Sequence, residues 1–475
     1  MGWDRRASIE SDGNIVAWAG PFDPSSLWRN VASRHSLNAE PATNSSASSS
    51  SEVRRWYQRV PWQMFWALAD QGVVSVARMA TSILVGRYGS KEELGLYTLG
   101  FTLLTLVISL QEALVTTPYT IFVARYPRDQ QPSFSGHLFL FSKLLTLVTM
   151  FLLAISILIA FLQGADPQLL MVMGALLLIL PFSLLKEFSR RWQVAHLKMV
   201  EATAIDSLNS LILLGCLFGL CYFQSITAVY AFLATGIAGL AASLTWGIYS
   251  RREFQFRWSQ FKHTMRSCLH YGKWVAGENF LSVIQYFFGN WFLFLILSTQ
   301  EVGNYAGCMT IVMLSNPFLL GVTGLLSTRS SRAFAEQGEA AVRQLVSRYL
   351  VAIVGIMVAF SVVIFFAGQW LLDLVFKGEI QQQGWTIALL SWAMVGLGAS
   401  YITSCGLRAI NRPEVNYYGS LLGLLVTAGV SFLAWSYVSP QMSAGAFLAG
   451  TSSMALFRIW AFYRPAPPAA SAVRV

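Results

Sequence analysis

Charge is what this sequence has least of. Of its 475 residues only 12% are Asp, Glu, Lys or Arg, against roughly 25% in ordinary soluble chains. A soluble chain of this length would divide into about two or three domains, each with a polar surface. There are too few charges here to cover such surfaces. Cysteine is scarce as well: Cys216, Cys221, Cys268, Cys308 and Cys405. None forms a C-x-x-C pair or stands at metal-ligand spacing with histidine, so no metal site or redox pair is expected. Most lie inside apolar blocks and read as small packing residues. His137, His196, His263 and His270 lack metal spacing too. With no recognisable nucleophile–base pair or phosphate loop, the sequence does not read as an enzyme. No apolar segment follows Arg5–Arg6, so the start is not read as a signal peptide.

What is present is apolar sequence, 55% of the chain. It falls into twelve blocks: 62–86, 94–122, 137–162, 168–189, 200–223, 226–249, 272–297, 303–327, 345–367, 384–407, 414–437 and 441–462. Each is long enough to cross ~30 Å of hydrocarbon at ~1.5 Å per helical residue. The prediction is an all-α polytopic membrane protein with twelve transmembrane helices. Trp56, Trp62 and Trp66 flank the first block, as interfacial aromatics do.

The cations test that count. With the N-terminal side taken as cytoplasmic, 21 Lys and Arg fall on inside segments. Only three, Arg87, Lys91 and Lys377, fall outside. An asymmetry of this size places both termini in the cytoplasm of a multi-pass inner-membrane protein. It also accounts for the net charge of +10 without a nucleic-acid partner. The domain reading is a polar, disordered cytoplasmic tail over 1–60, with a serine-rich stretch from Asn44 to Ser51. A six-helix bundle follows over 61–249, then a basic cytoplasmic loop over 250–271, a second six-helix bundle over 272–463 and a tail over 464–475.

The halves repeat. Glu93-Leu94-Gly95-Leu96-Tyr97 returns as Glu301-Val302-Gly303-Asn304-Tyr305, 208 residues later. The same shift carries Asp70-Gln71 onto Glu278-Asn279. Two co-oriented six-helix units imply a pseudo-two-fold axis along the membrane normal, with a substrate site between the halves. The motif is also a common kind of tight turn, so the acid–amide pair and the 6+6 charge pattern carry the repeat.

Gly86-Arg87-Tyr88-Gly89 followed by Glu93-Leu94-Gly95-Leu96-Tyr97 resembles a stretch of the bacterial polysaccharide flippases of the multidrug/oligosaccharidyl-lipid/polysaccharide exporter superfamily. Tyr271-Gly272-Lys273-Trp274 through Val302-Gly303-Asn304-Tyr305 is similar to the start of that family's second bundle. The resemblance spans about 62–462 and rests on the order and spacing of short motifs. It implies two six-helix bundles around a V-shaped cavity. It also implies export of undecaprenyl-pyrophosphate-linked glycans, with the bilayer, the lipid-linked glycan and glycan polymerase or assembly proteins as partners. The serine-rich tail departs from the family pattern.

Ionisable residues inside membrane helices are costly and are functional candidates by default. Asp70 and Arg78 share the first helix but stand ~80° apart around it, so each needs another partner. Gln71, Ser75, Arg78 and Ser82 form one polar stripe, and Glu278, Ser282, Gln285 and Gly289 another. Both stripes are expected to face the cavity, although the serines also suit ordinary helix–helix hydrogen bonding. Arg78, with Lys143 or Lys186, is the expected pyrophosphate site, because guanidinium groups grip phosphate bidentately. The two lysines also suit simple snorkelling. Asp70, Glu112, Glu278 and Gln285 are the expected coupling or charge-pairing residues, with H+ or Na+ as the coupling ion and no other cofactor or metal. Lys186-Glu187 reads as an edge cluster, and Asp206 carries little weight. Pro118, Pro181 and Pro317 are expected hinges, or static kinks. A cation-coupled drug exporter of the same fold is the alternative, and deep Arg78 argues against it.

Overall fold

The computed structural model describes residues 46–123, 130–196, 198–250, 254–255, 258–410 and 412–464. Gln58–Arg464 forms one contact unit. Of the other, Met1–Tyr57 with Pro465–Val475, only helical residues 46–57 are described. Most of both predicted tails therefore lies outside the described residues.

Twelve long helices run through the described residues. The first half holds α1 (Ser46–Tyr88), α2 (Lys91–Thr120), α3 (Gln131–Leu162), α4 (Pro167–Ala195), α5 (Met199–Tyr222) and α6 (Ala228–Ser250). The second half holds α7 (Trp258–Ile296), α8 (Thr299–Phe334), α9 (Glu336–Phe376), α10 (Gly384–Ala409), α11 (Pro413–Leu433) and α12 (Pro440–Tyr463). Ten of these carry a span long and apolar enough to cross a membrane, and α1 and α12 are not among the ten. Repeated Ala, Gly, Ser and Thr, together with Arg458, dilute α12. Large apolar side chains such as Leu162, Phe366 and Leu433 point outward, as a lipid-facing surface requires.

Local chemistry sets the helix ends. Ser90 accepts from the Glu93 N–H at 3.2 Å, and Ser298 accepts from the Glu301 N–H at 3.4 Å. The E-[LV]-G-x-Y motif is thus the first turn of α2 and of α8, each opened by a serine cap. The Asp166 and Ser439 side chains cap α4 and α12 in the same way. The three predicted hinge prolines all stand in helices. Pro118 follows a π-helical turn over Glu112–Thr116, Pro181 lies inside α4, and Pro317 follows a 3₁₀ turn over Met313–Ser315. Proline cannot donate to the preceding turn, which accounts for the irregular turns beside Pro118 and Pro317.

Two boundaries differ from the sequence reading. The segment 250–271 is mostly helix, because α7 begins at Trp258. Phe261, Met265 and Cys268 line one face at i, i+4, i+7 and pack on the first half against Phe134, Tyr119 and Trp192. The first helix begins at Ser46, inside the predicted disordered tail. It runs through Pro61 into the membrane block, and 46–60 itself holds no Gly or Pro.

The halves meet closely at one end. A Cβ on Gly95 would collide with the Thr299 carbonyl, and one on Gly303 with the Lys91 carbonyl. The two motif glycines therefore let α2 and α8 cross backbone to backbone. Beside this crossing, Phe376 fills the surface left open by Gly86. Arg87 reaches the Leu374 and Val375 carbonyls at 3.5 Å, and Lys377 sits 4.5 Å over the Tyr88 ring. This end is sealed.

Candidate functional site: a buried charge layer in each half

Each half places a carboxylate on its first helix and ties it to other helices. In the first half the centre is Arg190 on α4. Its Nη2 donates to Asp70 Oδ2 at 2.8 Å, and its Nε lies 2.7 Å from Asp206 Oδ2 on α5. Lys186, one turn earlier, holds Asp206 Oδ1 at 2.7 Å. Asp206 is fully buried. An unpaired carboxylate there would cost several kcal/mol, which is why two cations converge on it. Arg191 turns the other way and pairs with Glu112 on the π-turn of α2. Glu187 lies 3.4 Å from Arg190 and 3.5 Å from Arg191.

The second half uses Glu278 on α7. Arg408 Nη2 donates to both carboxylate oxygens at 3.0 Å from the last turn of α10. Arg458 on α12 approaches Glu278 Oε1 at 3.5 Å. Arg458 is only 2% exposed. It also donates at 2.8 Å to Ser400 Oγ, to Ser420 Oγ and to the Asn416 carbonyl. Gln285, one stripe position beyond Ser282, is buried against Gly423 and Gly450, which have no side chains to exclude its amide.

The halves correspond position by position. The ends of α4 and α10, Ala195 and Ala409, are related by a shift of 214 residues. That shift carries Lys186, Arg190 and Asp206 onto Ser400, Ser404 and Ser420. Those serines surround Glu278 and Arg458, and Ser404 Oγ donates to Glu278 at 3.5 Å. The layer is the same place in both bundles, filled with charge in one and with hydroxyls plus a twelfth-helix arginine in the other.

The remaining predicted residues are placed as follows. Arg78 is exposed between the halves, 5.6 Å from the Phe101 ring. Phe101 meets Phe287 of α7 edge-on at 6.3 Å, and Arg78 acts electrostatically on Tyr286 beside it. Lys143 is half-buried, 5.2 Å over the Phe139 ring on its own helix. Lys186 is committed to Asp206 rather than open to a ligand, because the buried Asp206 needs a counter-charge. The α7 stripe also departs from expectation. Glu278 and Gln285 are buried, and Ser282 bonds Ser420 at 2.9 Å, so this stripe packs into its own bundle. Helix packing took the polar positions that the sequence suggested for a cavity.

Arg190, Arg191 and Arg408 are among the 21 cations that the sequence assigns to inside segments, yet they lie within α4 and α10 and make these pairs. Arg458 is not among the residues that the sequence singles out. It stands between Phe457 and Ile459 inside the block 441–462, and a lone arginine in such a block is the signal that marks it.

The family profile described as "Polysaccharide biosynthesis protein" matches residues 63–326, more than half of the chain. The chain belongs to that family. No curated protein sequence matches it. Its fold is that of the MOP-superfamily transporters. It is similar to the inward-facing conformation of a multidrug resistance MATE transporter of that superfamily, with 14% identity and a TM-score of 0.69 over 82% of this chain and 93% of that one. A MOP-superfamily transporter from Pyrococcus furiosus, described by a reversed binding-pocket polarity, gives 16% identity and 0.63 over 84% and 92%. A Vibrio cholerae MATE transporter variant gives 15% and 0.57 over 88% and 97%. The chain is a multi-pass membrane protein of two six-helix bundles related by a parallel repeat.

Proposed function

We propose that this protein is a flippase that moves lipid-linked oligosaccharide, carried on undecaprenyl pyrophosphate, across the inner membrane by alternating access. The observation that carries this reading is the set of accessible guanidinium groups between the halves. Arg78 is exposed there, and the Arg408 side chain is 50% exposed at the edge of the second charge layer. Guanidinium is the side chain best matched to a diphosphate, and the family match to polysaccharide biosynthesis points to the same substrate class.

The positive-inside asymmetry orients the molecule with both termini in the cytoplasm. The Gly95–Gly303 crossing then lies at the outer face, and the sealed conformation opens inward. The headgroup enters from the cytoplasmic side, its diphosphate meets Arg78 and Arg408, and its isoprenoid tail stays in lipid. Rocking of the bundles about the charge layers parts α2 from α8 and releases the headgroup outward, to polymerase or assembly proteins. A cation-coupled drug exporter would need carboxylates open to a cation. Asp70 and Glu278 are each already held by a guanidinium, so any coupling H+ or Na+ must displace an arginine.

Expression in a strain deleted for its own flippase tests the reading. The wild-type chain restores surface polysaccharide, and Arg78→Ala does not. Normal polysaccharide with Arg78→Ala would remove that residue from the path. Failure of the wild type, with broad drug resistance instead, would favour the exporter.

A further inference from the structure

Arg408 and Arg458 share Glu278 but are held in very different ways. Arg458 is locked, with three further hydrogen-bond acceptors at 2.8 Å, on Ser400, Asn416 and Ser420. Arg408 sits in the last turn of its helix with half of its side chain exposed, and Glu278 is its ion-pair partner among the described residues. One Arg408 nitrogen, Nη2, makes both contacts to Glu278. The other nitrogens of that guanidinium make no hydrogen bond to the carboxylate. The layer holds two cations to one carboxylate. If Arg408 lets go, Glu278 keeps Arg458 and stays neutralised.

We infer that Glu278 is an internal stand-in for the substrate's diphosphate: it occupies Arg408 when the transporter is empty and yields it when the anion arrives. This rests on the proposed substrate class and adds a role for Glu278 opposite to that of a coupling carboxylate. A diphosphate offers Arg408 more acceptor oxygens and more charge than one shared carboxylate. Glu278, buried and retained by Arg458, takes Arg408 back as the anion leaves. Direct competition at Arg408 sets how tightly the headgroup is held and how readily it is released. Arg458 is the positioning residue that makes the exchange possible, because without it a released Glu278 would be a buried, unpaired charge.

The test is binding of farnesyl diphosphate, a short isoprenoid diphosphate, to the full chain in nanodiscs, beside transport by the same variants. Removing an internal competitor strengthens binding, so Glu278→Gln should bind about fivefold or more tightly and turn over more slowly. Arg408→Gln should weaken binding by about tenfold. Loss of Glu278 strands Arg458, so the variant E278Q/R458Q, which keeps the layer's net charge as it is in the wild type, is run in parallel and should also bind more tightly than wild type. If Arg408→Gln weakens binding while both Glu278 variants bind like wild type or worse, the exchange is wrong and the flippase reading stands. If the wild type binds no farnesyl diphosphate at all, the substrate class falls and the exchange with it.

Discussion

In the first half, Asp70 on α1 is neutralised by α4 and shares Arg190 with Asp206 on α5. In the second half, Glu278 on α7 is neutralised by α10 and α12. The two layers occupy equivalent places, yet their charge balance is opposite. Asp70, Asp206, Glu187 and Glu112 face Lys186, Arg190 and Arg191, which leaves one carboxylate in excess. Glu278 faces Arg408 and Arg458, which leaves one cation in excess. A duplicated bundle keeps the position of its buried polar layer because that position ties three or four helices together. The residues that fill it are free to diverge, provided each buried charge keeps a partner. Here the divergence leaves the second half with an exposed cation, Arg408, at the edge of its layer.

Removal of Arg190 should have the largest effect on this comparison. Arg190→Ala strands Asp70 and strips Asp206 of one of its two cations. Breaking a buried pair this way costs about 3–5 kcal/mol, so the variant should show a sharply lower melting point in detergent, or fail to accumulate. Near-normal stability would mean that water already reaches this layer. Gly303→Ala comes next. Its new Cβ meets the Lys91 carbonyl across the halves, a backbone atom that cannot turn aside, so the sealed conformation should lose about 1–3 kcal/mol. Cysteine labelling at the α2–α8 crossing would report this as increased access, and unchanged labelling would deny that the crossing is the seal.

A third substitution sharpens the comparison. Ser420→Asp installs at the second layer the carboxylate that Asp206 gives the first, within reach of Arg458. Since it supplies the missing negative charge, the stability read from a thermal melt should stay within about 1 kcal/mol of wild type. Severe destabilisation would show that the layers are not equivalent. The smallest change is expected from Glu112→Gln. Its pair with Arg191 is about one-third exposed on both sides, and such pairs contribute about 0.2–1 kcal/mol. A larger loss in a thermal melt would show that this pair is shielded from water like the rest of its layer.

Much of the fold was legible in the sequence because hydrophobic length is a local property. The block 384–407 became Gly384–Ala409, and 441–462 became Pro440–Tyr463. The repeat was legible too, since Gly95 and Gly303 sit in matching motifs and touch across the axis. The start of α7 escaped because Lys262 and Arg266 lower its hydropathy. Its stripe of Phe261, Met265 and Cys268 was nevertheless written at helical spacing. The charge layers were only half legible. Asp70 and Glu278 stood out as acids in apolar blocks, but their partners lie 120 and 130 residues away in sequence. No local pattern says that Arg190 turns inward while Arg191 turns to α2. Lys186 illustrates the limit: its position near a helix end suits an anion site, and only the fold shows Asp206 already occupying it.

The most direct measurement is flipping itself. The purified protein, reconstituted into liposomes with a fluorescent lipid-linked oligosaccharide, is sampled by a membrane-impermeant reagent that reads only the outer leaflet. A lipid-linked oligosaccharide flippase gives time-dependent movement of the labelled headgroup between leaflets, abolished by Arg78→Ala and reduced by Arg408→Gln. Headgroups that stay in their leaflet, together with transport of a cationic dye by the same vesicles, would contradict it.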